Sequence, residues 1–258
     1  MTQQDAPQSY DRIRLPSAYE LVARQIEERI VAGNLRPGDE IGTEAELVRQ
    51  FGVNRSTVRE GIRMLEQSGL VRREAGRRLC VSRPQYLNLS SRMSRAMILN
   101  EVTFQELFDT ALILEAAAAL AAAALRGNGH IQALRDNLAA CEAARSDPAR
   151  LADLDNDFHR LIAKASGNRV LELAREPAAM LYFPTTEVIF RSVPEAAGRL
   201  LTAHAEIIDA IERGDGPAAG QWMHRHVTDW HRGFVRAGRD PASPVERGLA
   251  VWHNEAND

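Results

Sequence analysis

TEAELVRQFGVNRSTVREGIRMLEQSGLV, residues 43–71, decides the fold of the first part of this chain. Thr43 followed three residues later by Glu46 makes a capping box, so a short helix is predicted from there to about Gln50. Phe51-Gly52-Val53 reads as a tight turn. Asn54 then caps a second helix that runs through about Ser68 and stops at Gly69, a residue suited to a left-handed C-terminal position. Helix, short glycine turn, helix is the arrangement of a helix-turn-helix. On the second helix Val58, Ile62 and Leu65 recur at i, i+4, i+7 and must face a core. Arg55, Arg59 and Arg63 form a separate stripe, with Asn54, Ser56 and Thr57 around the helix start. Backbone N–H groups, hydroxyls and guanidinium forks at one helix N-terminus suit phosphates and the guanine edges of a major groove.

Downstream, LVRREAGRRLCV (70–81) alternates about a turn near Ala75-Gly76 and reads as a two-stranded wing, whose Arg72, Arg73, Arg77 and Arg78 can reach the DNA backbone or minor groove. From Leu47 to Arg83 there are nine arginines against three glutamates, a local balance of +6 in a chain whose net charge is −3. An arginine stripe on an isolated helix is usually just a solvated face. Joined to the cap, the turn and a basic wing, it is the focused charge expected of a DNA reader.

Proline, glycine and charge divide the rest. Residues 1–15 are polar, lack the apolar run of a signal peptide and are expected to be disordered. The DNA-binding module occupies 16–83, PQYLNLSS (84–91) reads as a linker, 92–237 is almost continuous helical pattern punctuated by prolines 177, 184 and 194, and 238–258 reads as a mobile tail. The apolar run ALILEAAAALAAAAL (111–125) is interrupted by Glu115 and falls short of the ~20 residues that span a bilayer. It is expected to be an internal helix of a cytoplasmic protein with no membrane partner. Two cysteines, Cys80 and Cys141, cannot form a disulfide framework and suit a reducing cytosol.

LADLDNDFHRLIAKASGN (151–168) makes an amphipathic helix with Leu151, Leu154, Phe158, Leu161 and Ala165 on one stripe, yet Asp155 and His159 sit at the rim of that buried face. His204 lies amid Leu200, Leu201, Ile207, Ile208 and Ile211, and His226 lies between Trp222, Met223 and Trp230, both inward. His224 and His231 share an outer stripe. One inward histidine is usually a hydrogen-bonded core residue. Three of them with an inward carboxylate form a different set, because a buried carboxylate costs several kcal/mol unless compensated. A divalent cation taking three imidazoles and one carboxylate compensates it, and such ligands suit zinc, nickel, manganese, iron or copper.

The stretch AGNLRPGDEIGTEAELVRQFGVNRSTVREGIRMLEQSGLV resembles the winged helix-turn-helix of GntR-type bacterial transcription regulators over nearly all of residues 18–82. That resemblance implies DNA contacts from Arg55, Ser56, Thr57 and Arg59, and from Gly76 and Arg77 in the wing. The C-terminal part resembles the FCD ligand-binding domain of the FadR-like branch, through DLDNDFHRLIAKASGN, AHAEIIDAIERGD and MHRHV. It implies a mostly α fold: the winged helix-turn-helix, with its small β wing, followed by an antiparallel all-α helical bundle. At the bundle's centre a metal, zinc first with nickel, manganese or iron as alternatives, would be held by Asp155, His159, His204 and His226 beside a small effector, often a carboxylic acid. The implied function is regulation without enzymatic activity, more often repression, by a homodimer on a near-palindromic double-stranded DNA operator. The chain departs from the family pattern at Ala45, at Asn54 and at Ala111, where relatives that bind organic acids carry an arginine, so the operator sequence does not carry over and a bidentate clamp is missing. Two alternatives stand beside this: a metal-free pocket for a more apolar effector, and a metal-dependent hydrolase in which an incompletely coordinated cation activates water, though no further general base is apparent.

Overall fold

The computed structural model describes residues 16–74, 78–82 and 86–245, with backbone alone for 86–89. The expected disordered segment 1–15, the wing tip Ala75-Gly76-Arg77 and the end of the tail, 246–258, lie outside the described residues. The chain divides into two compact units between residues 85 and 86.

The first unit contains α1 (Ala18–Val31), β1 (Glu40–Gly42), α2 (Glu44–Phe51), α3 (Arg55–Gln67), β2 (Val71–Arg73) and β3 (Leu79–Val81). Thr43 and Glu46 form the capping box of α2, and Gly52 ends it at φ 65°, a conformation that glycine adopts without a Cβ penalty. The Asn54 side chain accepts the Thr57 N–H at 2.8 Å, which fixes the start of α3. Val58, Ile62 and Leu65 then point inward against Val22, Ile26 and Leu47. Gly61 is needed for that approach, since a Cβ there would lie 2.9 Å from the Tyr19 carbonyl oxygen on α1. The wing is larger than the sequence suggested. It is a three-stranded antiparallel sheet in the order β1-β3-β2, with Glu40 opposite Cys80 and Val71 opposite Val81. β1 has only three residues, too few to show an alternating pattern, and is defined by its pairing with β3.

The second unit contains seven helices among the described residues: α4 (Tyr86–Leu99), α5 (Phe104–Leu125), α6 (Asn128–Ala143), α7 (Pro148–Ala165), α8 (Arg169–Ser192), α9 (Ala196–Arg213) and α10 (Gly216–Arg236). α5 lies along α10 and also meets α7, α8 and α9. Its run of alanines allows this close approach, with Ala111, Ala118, Ala119, Ala122 and Ala123 all buried. The Thr103/Glu106 capping box starts the helix well before residue 111, giving 22 residues. By length and composition alone that is enough to cross a membrane, but here it packs within the bundle.

Three expectations are corrected. The segment read as a linker is helical from Tyr86, because Ser90 and Ser94 are buried and the Ser94 hydroxyl donates to the Pro177 carbonyl on α8 at 2.8 Å. Pro177 and Pro184 do not break the chain into shorter helices. Both lie inside α8, where burial of Ala178, Ala179, Leu181, Tyr182 and Phe183 outweighs the roughly 3 kcal/mol cost of an internal proline. The tail is ordered as far as residue 245: Thr103 and Pro244 form a β-bridge, and Val245 is buried while its N–H donates to the Val102 carbonyl at 2.8 Å.

Candidate functional site

α7 presents Asp155 and His159 one turn apart, α9 presents His204, and α10 presents His226. Their exposures are 3%, 4%, 0% and 8%, so all four sit inside the bundle rather than at its rim. His204 Nε2 lies 3.1 Å from Asp155 Oδ1, and His226 Nε2 lies 3.4 Å from the same oxygen. His159 Nε2 is 3.1 Å from His226 Nε2 and 3.8 Å from Asp155 Oδ1. The ligand atoms of Asp155, His204 and His226 all fall within 4.8 Å of one another. Donors about 2.1 Å from a shared cation stand roughly 3.0–3.4 Å apart, so Asp155, His204 and His226 come together as for one ion, while His159, expected as the fourth ligand, touches His226 but stands outside that group of three. Burial pushes the Asp155 carboxyl up, but hydrogen bonds from His204 and His226 outweigh it and hold the group well below the usual carboxylate range. Burial, opposed by Asp155, takes His204 down to about 3, so its imidazole is neutral, the form in which histidine binds metals.

Sequence reasoning passed over a layer behind these four. His159 Nδ1 lies 3.0 Å from Glu115 Oε2 on α5, in a close contact that departs from linear hydrogen-bond alignment. Such a carboxylate favours the tautomer that leaves Nε2 free. Glu115 Oε1 accepts from Arg175 Nε at 2.9 Å and from the Tyr182 hydroxyl at 3.1 Å, both on α8. Burial pushes Glu115 up, and the Arg175 guanidinium, with the neighbouring His159 ring, outweighs it and brings the carboxyl down to about 2. Arg175 is raised despite its burial, chiefly by Glu115. The only signal in the sequence was that Glu115 interrupts an alanine run at the i+4 position from Ala111, on the buried face. His231, expected on the outside, is half-buried, with its ring 4.3 Å from that of Phe108 and its Nε2 3.0 Å from Gln105 Oε1. His224 is exposed as expected.

On the first unit, Arg55, Arg59 and Arg63 have side chains 68%, 69% and 65% exposed along α3. Ser56 is exposed and donates to Asn54 Oδ1 at 2.7 Å, while Thr57 is half-buried. Glu44, at the start of α2, gathers three of the cations: Arg73 Nη2 at 2.9 Å, Arg55 Nε at 3.7 Å and Arg59 Nε at 3.9 Å. Arg73 also meets Glu66 at 2.8 Å, so α2, α3 and β2 are joined by one charge network beside the exposed arginine stripe. Gly76 and Arg77, expected as wing contacts, lie outside the described residues.

A cationic helix-turn-helix with a β wing, followed by a helical bundle with a buried polar centre, defines a DNA-binding transcriptional regulator with an effector-binding domain. The model for bacterial regulatory proteins of the gntR family matches residues 18–81, and the FCD domain model matches residues 106–229. The chain belongs to the GntR family, in the FadR-like branch that carries an FCD domain. It is 27% identical over 222 residues to the HTH-type transcriptional repressor NanR of Citrobacter rodentium, covering 82% of this chain and 85% of that one. It is 28% identical over 203 residues to the Glc operon transcriptional activator of Escherichia coli K12, covering 74% and 79%. A solved Streptococcus agalactiae GntR structure superposes with a TM-score of 0.57 at 25% identity, over 83% of this chain and 99% of that one. These relatives regulate transcription; they are not enzymes.

Proposed function

We propose that the helical domain senses a small organic acid with the help of a divalent metal ion held by Asp155, His159, His204 and His226, and that a homodimer couples this to release of a near-palindromic operator. The observation that carries the reading is the meeting of one buried carboxylate oxygen with three imidazole Nε2 atoms, 3.1–3.8 Å apart in successive pairs. When bound, the ion supplies a buried positive charge that offsets Asp155 and attracts an anion. Zinc suits the set best, with nickel, manganese or iron as alternatives. Elemental analysis of the purified chain beside His204→Ala tests this: the wild type should carry close to one divalent ion per chain and the variant much less. Equal, negligible metal in both would leave a polar, metal-free core and a more apolar effector.

Repression is the sense that asks least of the protein, because occupying an operator blocks polymerase without any further contact, whereas activation needs a specific one. Operator binding places the protein in the cytoplasm. Arg55, Ser56, Thr57 and Arg59 are proposed to touch DNA, together with Gly76 and Arg77. For Arg59→Ala, affinity should fall and the slope of log K against log salt should drop by about one per arginine lost, hence about two for a dimer. Fluorescence anisotropy over a salt series measures it. An unchanged slope would remove Arg59 from the phosphate contacts.

A further inference from the structure

A carboxylate sits among the arginines of the DNA-binding unit, where a group that repels phosphates is least expected. The Glu44 side chain is 14% exposed and lies 2.9 to 3.9 Å from three guanidinium groups. Its place at the start of α2 does not account for this. An acid in the first turn of a helix favours the positive end of the helix dipole. In α2, however, the capping box is closed by Glu46, whose carboxylate accepts the Thr43 N–H at 2.7 Å. Glu44 instead reaches across to α3 and β2.

Arg73 holds it there. Arg73 Nη2 donates to Glu44 Oε1 at 2.9 Å, while Arg73 Nε meets Glu66 Oε1 at 2.8 Å. A guanidinium is a rigid fork, so these two contacts tie the Glu44 carboxylate to both β2 and α3. Held in that way, it faces Arg55 Nε at 3.7 Å with Oε2 and Arg59 Nε at 3.9 Å with Oε1. Arg55 and Arg59 stand one turn apart on α3, a spacing at which like charges repel. One carboxylate facing both offsets that repulsion, at distances too long for a hydrogen bond. Both arginine side chains stay 68% and 69% exposed, and exposed ion pairs of this kind contribute little stability, so DNA can take the guanidiniums over.

Specificity is a difference between affinities and is raised by whatever penalises the wrong partner. A duplex that does not draw both guanidiniums away from Glu44 brings its phosphates up to a fixed like charge. We infer that Glu44 is a positioning residue for DNA recognition, which aims Arg55 and Arg59 from the side of α2 and makes contact with non-cognate sequences unfavourable. This rests on the proposal that Arg55 and Arg59 touch DNA.

The test uses the full chain and two fluorescent duplexes, one enriched by the wild type from a randomised library and one with the same bases in shuffled order. Anisotropy at one fixed salt concentration gives both affinities, and thermal unfolding is followed in parallel. In E44Q the shuffled duplex should bind more tightly while the enriched one gains less or loses affinity. Their affinity ratio should fall at least about fivefold, the low end of what one well-placed bidentate arginine adds to discrimination. E46Q, which weakens the capping box of α2, is the control for a purely structural effect and should keep the ratio. An unchanged ratio in E44Q, or a ratio that falls as far in E46Q, overturns the inference. R55A and R59A separate it from the reading beneath it. If they weaken binding to the enriched duplex while E44Q keeps the ratio, only the role of Glu44 falls. If both bind that duplex as the wild type does, the arginine contacts fall, and this inference with them.

Discussion

Phe158→Ala should destabilise the helical domain by about 3–5 kcal/mol, as expected for deleting a fully buried aromatic ring that leaves a cavity. Phe158 is 0% exposed, and its ring lies on that of His204 with centroids 3.6 Å apart and planes 11° from parallel. It also stands edge-on to His159, 6.1 Å away. The stack has a second consequence. Metal-binding imidazoles are generally aimed by a hydrogen bond at their other nitrogen. His204 Nδ1 is buried without one, so beyond the Nε2 contact with Asp155 itself the ring is oriented by packing against Phe158. The variant should therefore lose metal affinity beyond what its stability loss explains, while Phe158→Leu recovers part of the stability and little of the affinity. Trp222 and Trp230 lie on α10, and residues 1–85 contain no tryptophan, so the fluorescence of these two follows denaturation of the second unit separately from the DNA-binding unit. A stability loss below about 1 kcal/mol, outside the usual range for such a truncation, would mean the site collapses around the missing ring.

The parts of the fold legible in the sequence are those written in local chemistry. The capping box at Thr43, the glycine at 52 and the cap at Asn54 each act within a turn of themselves, and each is where the sequence put it. The inward histidines were readable because α7, α9 and α10 are strongly amphipathic, so a polar residue on the wrong side stands out. Glu115 and Arg175 were not, for two reasons. α5 is apolar almost all round, which leaves no polar face against which to judge Glu115, and its partner comes 60 residues later on another helix. β1, the bridge at Pro244 and the helical start of α4 are likewise defined by distant pairings, through β3, Thr103 and Pro177. The prolines of α8 misled for the opposite reason: the local rule against internal proline is sound, and burial on that helix overrode it.

Arg175→Met alone should cost the helical domain about 3–5 kcal/mol, the penalty for breaking a buried ion pair by removing one partner. The asymmetry lies in what remains. Glu115 would stay 1% exposed, with the Tyr182 hydroxyl as a hydrogen-bond donor and the His159 ring beside it, and neither supplies a full opposing charge. Removing the charge as well should recover most of the loss, because a glutamine in place of Glu115 can still accept from Tyr182 and a methionine in place of Arg175 can fill the volume with apolar contact. E115Q/R175M is thus expected to be much more stable than R175M, by a coupling above about 1 kcal/mol, within the range measured for residues sharing one network. Tryptophan fluorescence during urea denaturation of the wild type, both single variants and the double variant gives that number. Coupling near zero would mean that Glu115 is stabilised chiefly by the His159 side of the site. The Glu115–Arg175 pair would then be incidental to folding, and the buried guanidinium would need a different reason for its place on α8.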